Sequence, residues 1–178
     1  MALKATIFKA RLRLADMDRQ HYGDYRLTLA RHPSETDERL MVRLLAFAHN
    51  AAEDLEFTRG LSTDDEADLW LRNPAGEIDL WIEVGLPAED RLRKACNRAD
   101  QVLVYSYGRR AAPVWWRKHG AALERFDKLR VYHLPGETCE QLAALAERNM
   151  NLNITVQDGH LWIGSAERSV EVVPEVWK

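Results

Sequence analysis

Cysteine is nearly absent from this chain of 178 residues: there are two, Cys96 and Cys139. They lie far apart and without metal-ligand spacing, which fits reduced, packing thiols better than a disulfide framework. No apolar run approaches the roughly 18 residues of a membrane span. The opening Met1-Ala2-Leu3-Lys4-Ala5-Thr6 carries no apolar signal-peptide core, so a cytoplasmic location is expected. An excess of positive charge is missing too. The formal net charge is −3, which excludes a histone-like polycation and leaves any nucleic-acid contact to local patches. No Pro/Gly/Ser-rich linker and no internal repeat divides the chain, so one domain over residues 1–178 is expected. Dinucleotide-binding, phosphate-loop and serine-nucleophile signatures are absent, as is a Cys–His pair suited to nucleophilic catalysis.

What remains is material for a core. Hydrophobic residues make up 46% and charged residues 30% of the sequence, with six tryptophans. This composition belongs to a folded globular protein. The segment Leu3–Leu14 alternates: Thr6, Phe8, Ala10, Leu12 and Leu14 take one face, and Lys9, Arg11 and Arg13 the other. That is a half-exposed strand. A second strand is expected over Asp24–Arg31. Ser34-Glu35-Thr36-Asp37 resembles a capping box and opens a helix expected to run to about Glu56 on the stripe Met41, Leu44, Leu45, Ala48, Ala52 and Leu55. Two strands follow, Asp68–Arg72 and Ile78–Val84, joined by Asn73-Pro74-Ala75-Gly76-Glu77, a hairpin signal.

A helix is then expected from Pro87 to Ala99, a strand at Val102–Tyr107, and a helix from Pro113 to Phe126. A strand at Leu129–Leu134, a helix at Glu137–Glu147 and strands at Leu152–Gln157, His160–Ile163 and Ser169–Val173 complete the pattern. Helices and strands alternate in the middle, which predicts an α/β sheet core with extra strands at both ends.

The central hairpin carries the chemistry. Its strands are near copies, Asp68-Leu69-Trp70-Leu71-Arg72 and Asp79-Leu80-Trp81-Ile82-Glu83. A turn centred on Ala75–Gly76 sets Arg72 opposite Asp79, Trp70 opposite Trp81, and Asp68 opposite Glu83. Facing carboxylates destabilise a ladder by about 0.2–1 kcal/mol unless a cation intervenes. Oxygen ligands suit Mg²⁺ or Mn²⁺. Asp68, Glu83 and, less centrally, Asp79 are therefore candidate metal ligands. Glu38, one turn into the first helix, is a further candidate carboxylate for the site. Lys94 and Arg91 are the nearest cations in sequence. The ordinary readings are a half-buried strand acid for Glu83, an ion pair with Arg72 for Asp79, a helix-dipole partner for Glu38, and an i,i+4 partner of Asp90 for Lys94. Arg109, Arg110 and Lys118, near the Trp115-Trp116 pair, could contact phosphates, as could Arg91; a solvated helix face is the plainer reading for the Trp115-Trp116 segment.

Four segments carry a family resemblance: residues 1–7 (MALKATI), Leu27-Thr28-Leu29-Ala30-Arg31-His32-Pro33-Ser34-Glu35-Thr36, Phe57-Thr58-Arg59-Gly60-Leu61, and Ile78-Asp79-Leu80-Trp81-Ile82-Glu83. Over essentially its full length the chain resembles the YaeQ family, whose fold is a variant of the PD-(D/E)XK nucleases. The resemblance implies a restriction-endonuclease-like mixed sheet flanked by helices, with additional N- and C-terminal strands and a nuclease-like core at about residues 34–134. It implies metal-dependent phosphodiester hydrolysis of DNA or RNA, with Glu38 matching the helix glutamate, Asp68 the strand aspartate and Glu83 the glutamate of Glu-x-Lys. Gly85 stands where the lysine belongs, so Lys94, or Arg91 in its stead, is the candidate replacement. The alternative is a catalytically inactive nucleic-acid-binding or regulatory module on the same fold. The sequence sets no oligomeric state.

Overall fold

The computed structural model describes residues 3–59 and 65–178. In chain order its elements are β1 (Thr6–Asp16), β2 (His21–Arg31), α1 (Asp37–His49), β3 (Leu55–Phe57), β4 (Leu69–Arg72), β5 (Ile78–Val84), α2 (Glu89–Arg98), β6 (Ala99–Ser106), α3 (Ala111–Leu123), β7 (Leu129–His133), α4 (Gly136–Ala143), β8 (Asn149–Gln157), β9 (His160–Gly164), β10 (Ser169–Val172) and β11 (Glu175–Val176). The fold is mixed α/β, with four helices and two mixed sheets among the described residues. No helix of these residues is long and apolar enough to cross a membrane. The chain forms two compact units, residues 1–49 with 137–174, and residues 50–136 with 175–178.

The first unit is built on a five-stranded sheet in the order β10-β9-β8-β1-β2. Strand β1 pairs antiparallel with β2 and parallel with β8. The alternation in β1 is realised: Phe8, Ala10, Leu12 and Leu14 are buried while Lys9, Arg11 and Arg13 face solvent. Each buried leucine stabilises by about 1.5–3 kcal/mol relative to exposure. Helix α1 lays nine consecutive buried residues, Leu40 to Ala48, into this unit. Arg43 is among them, its charge met by Nε and Nη2 bonds of 2.8 Å each to the two Glu35 oxygens. That demand reassigns the expected capping box. Glu35 is drawn inward, and Thr36 caps instead, accepting from the Arg39 amide at 3.2 Å.

The second unit is built on a six-stranded sheet, β11-β7-β6-β5-β4-β3. Parallel pairing of β5, β6 and β7 requires crossover connections, which α2 and α3 supply. Trp81, Leu92, Ala95, Val102, Val104, Trp115, Leu123 and Val131 share its core.

Helix α1 ends at His49, not near Glu56 as its stripe suggests. Leu55, Glu56 and Phe57 pair with Leu71, Trp70 and Leu69 as β3. Leu55 continues the helical period, but its burial is achieved by a sheet edge, and tertiary pairing overrides local propensity. The central hairpin holds Trp70 opposite Trp81, as the sequence predicts, but a bulge sets Arg72 opposite Ile78 in place of Asp79. The cause is Asn73: its Oδ1 accepts from the amides of Ala75 and Glu77, and its Nδ2 donates to Glu77 and Asp79. An asparagine that organises its own turn inserts the extra residue. The expected Arg72–Asp79 ion pair is thereby replaced by Arg72–Glu56 at 3.2 Å.

Candidate functional site

Alternation along β5 puts Trp81 and Glu83 on one face, beneath α2. Glu83 is 4% exposed. Its Oε1 accepts from the Trp81 indole N–H at 2.7 Å and from Arg91 Nε at 2.8 Å. Arg91 stands beside Leu92 on the inward edge of α2, and its Nη2 donates to the Glu66 carbonyl at 2.7 Å. One guanidinium thus ties β5 to the segment entering β4. Burial, reinforced by the Asp68 carboxylate, pushes the Glu83 carboxyl above its ordinary value, while Arg91 and Trp81 pull it back.

Asp68, 6% exposed, precedes β4. Its amide donates to the Ile82 carbonyl at 3.0 Å, and its Oδ2 accepts from the Val84 amide at 2.7 Å. These two bonds hold Asp68 just beyond the β4–β5 ladder, beside the Ile82–Val84 stretch of β5, where its charge raises the Glu83 pKa.

Within the second unit, Asp79 and Lys94 are placed away from this pair. Asp79 sits at the far end of β5, four residues and so about 13 Å from Glu83, where it accepts from Asn73. Lys94 points outward, 68% exposed, with Nζ 3.2 Å from Asp90 Oδ2; the cation at Glu83 is Arg91. Glu38 belongs to the first unit, where burial and then Glu140 raise its pKa. Arg109 packs against Gly136. Arg110 and Lys118 are exposed. The residue that sequence reading missed is Trp81 as a hydrogen-bond donor to Glu83. Its i,i+2 spacing on a buried strand face was the available signal.

Gly85 has a physical reason. Its φ is +118°, outside the range that L side chains normally adopt. An added Cβ would touch nothing within 4 Å, so conformation, and not space, keeps lysine away. Gly85→Lys is expected to lose about 1–3 kcal/mol of stability, read by chemical denaturation; an unchanged midpoint would show that the backbone relaxes freely.

A divalent ion does not fit this arrangement. Mg²⁺ keeps several waters in near-octahedral geometry, whereas both carboxylates are buried and each is committed to protein donors. Among the described residues no group of three His, Cys, Asp or Glu side chains is placed to hold a metal. The arrangement instead does what a buried charge requires: it supplies a fixed counter-cation and satisfied hydrogen bonds.

The whole chain is similar to known proteins. It is 49% identical over 178 residues to the uncharacterized protein YaeQ of Salmonella typhi, covering 100% of this chain and 98% of that one, and 48% identical, with the same coverage, to that of Escherichia coli K12. The crystal structure of the YaeQ protein from Xanthomonas axonopodis pv. citri superposes with a TM-score of 0.95 at 50% identity, over 98% of both chains. That from Pseudomonas syringae does so with a TM-score of 0.94 at 34% identity, over 98% of this chain and 96% of the other. The YaeQ protein family model matches residues 1–174, and this chain belongs to the YaeQ family.

Proposed function

We propose that this protein is a non-hydrolytic nucleic-acid-binding module on a PD-(D/E)XK-like scaffold. In this reading the guanidinium of Arg91 stands where the nuclease would hold its metal. The observation that carries it is the Arg91 Nε–Glu83 Oε1 bond of 2.8 Å, made to a carboxylate oxygen already shared with Trp81. The nucleic-acid part is supported by α3 and its approach. From Tyr107 to Leu123 there is no acidic residue. Arg110, Arg117 and Lys118 are exposed, and none makes an ion pair with another described residue. Such a cationic stretch is a phosphate-facing surface.

The second reading is metal-dependent hydrolysis of DNA or RNA with Mg²⁺ or Mn²⁺. The influence of the Asp68 charge on Glu83 favours it, but Arg91 would have to leave the carboxylate first.

Labelled single- and double-stranded DNA and RNA, incubated with and without Mg²⁺ or Mn²⁺, separate the two. Binding without cleavage is expected, with affinity lowered about tenfold in Arg117→Glu/Lys118→Glu. Metal-dependent cleavage by the wild type that is lost in Glu83→Gln would replace this reading with the second.

A further inference from the structure

The outer face of the five-stranded sheet in the first unit is a cationic, amide-rich surface that nothing above uses. Along β1, Lys9, Arg11 and Arg13 project from it, about 6.7 Å apart. On β2, Arg26 lies directly opposite Arg11, and Thr28 opposite Lys9. Two arginines facing across a ladder repel, and an anion between them reverses the sign. On the other side of β1, the parallel register sets Asn149 beside Lys9, Asn151 beside Arg11 and Asn153 beside Arg13.

Asparagine is depleted in strands, so three at alternate positions are not explained by strand formation. All three are exposed, and their side-chain amides bond to no described residue. Each therefore offers two donors and an acceptor to an incoming group. One end of the face is aromatic. Trp162 lies opposite Thr155 and Tyr22 opposite Ala15, with Tyr22 60% exposed. The acids on this face are Asp24, 4.0 Å from Arg11, and Glu171, engaged by His160 at 2.8 Å.

We infer that this sheet face binds single-stranded nucleic acid. It rests on the reading of the protein as a nucleic-acid binder and names a second surface and the strandedness of the ligand. The phosphates run along the Lys9, Arg11, Arg13 and Arg26 cluster, whose repulsion they relieve. The bases lie over the asparagine column, whose amides match base edges, and stack on Trp162 and Tyr22. A duplex hides its base edges and faces and cannot use the amides or rings of so flat a surface.

Fluorescence anisotropy with labelled oligo-dT and oligo-U tests this on the full chain. Wild type is expected to bind single strands more tightly than duplex, with a log–log salt slope of about −2 to −3 for four cations. Lys9→Glu/Arg11→Glu/Arg13→Glu is expected to lose at least about tenfold in affinity, with far-UV circular dichroism confirming the fold. Asn151→Ala/Asn153→Ala is expected to lose about threefold for oligonucleotide but nothing for heparin, a polyanion without bases. Wild-type affinity in the triple variant, combined with loss in Arg117→Glu/Lys118→Glu, overturns the sheet surface and leaves the α3 reading intact. Equal loss for heparin in the asparagine variant overturns base contact. Absence of any oligonucleotide binding by the wild type overturns both.

Discussion

Arg91→Ala is expected to destabilise the second unit by about 2–4 kcal/mol. Removing one partner of a buried ion pair costs roughly 3–5 kcal/mol because the other charge stays buried and unpaired. Arg91 is 26% exposed, so water screens part of the loss. Glu83 would remain buried beside Asp68 with, among the described residues, only the Trp81 indole to meet it. Denaturant unfolding followed by tryptophan fluorescence reads the change, because five of the six tryptophans lie in this unit. The effect carries a pH signature. Burial and Asp68 already raise the Glu83 pKa, and Arg91 lowers it, so the variant raises it further. A carboxyl with a raised folded-state pKa is most favourable below its ordinary value of 4.5, and stability is lost as pH rises through the folded value. The gap between wild type and Arg91→Ala is therefore expected to close as pH falls through the two folded-state values, both above 4.5, and to be gone once Glu83 is protonated in both proteins. A gap independent of pH would mean that Arg91 acts through packing alone. Arg91→Lys keeps the charge but not the fork that reaches both Glu83 and the Glu66 carbonyl, so it should recover only part of the loss.

Trp81→Ala is the largest expected loss, about 3–5 kcal/mol for emptying a buried aromatic site. Trp81 is 2% exposed. It packs edge-on to Trp70 with ring centroids 6.0 Å apart, and the Arg98 guanidinium lies 5.1 Å from its ring. Trp81→Phe separates its two roles. It keeps most of the apolar volume but deletes the N–H given to Glu83, a bond to a charged group worth about 1.5–3 kcal/mol. Near-neutral pH should show Trp81→Phe destabilised by about 1–3 kcal/mol, with the penalty shrinking in acid as Glu83 protonates. If Trp81→Phe matches wild type, the indole bond contributes nothing and the ring serves the core alone.

Much of this was legible in the residues. Period-two alternation placed Leu12 and Leu14 inward and Arg11 and Arg13 outward in β1. Near-identical hairpin strands predicted Trp70 opposite Trp81. The failures share a cause. The bulge at Arg72 depends on an Asn73 side chain folding back on its own turn, which no strand periodicity records. The end of α1 was hidden because Leu55 fits the helical stripe yet finds its partner sixteen residues later, in Leu71. Strand β11, only two residues long, exists through its pairing with His133 and Tyr132 and has no local signal. At the hairpin, residue type and spacing singled out Asp68 and Glu83, both of which are buried. The identity of their cation was fixed by which α2 side chain faces inward. Lys94 belongs to Asp90 on the wet side, while Arg91 neighbours Leu92 on the buried side.

The central claim is that a protein guanidinium, not a divalent ion, neutralises the Glu83–Asp68 pair. Calorimetric titration of Mn²⁺ into wild type and Glu83→Gln tests it directly. The account predicts indistinguishable, non-saturating heats for both proteins. A saturable one-site isotherm in the wild type that disappears in Glu83→Gln would contradict it and restore the metal to the hairpin.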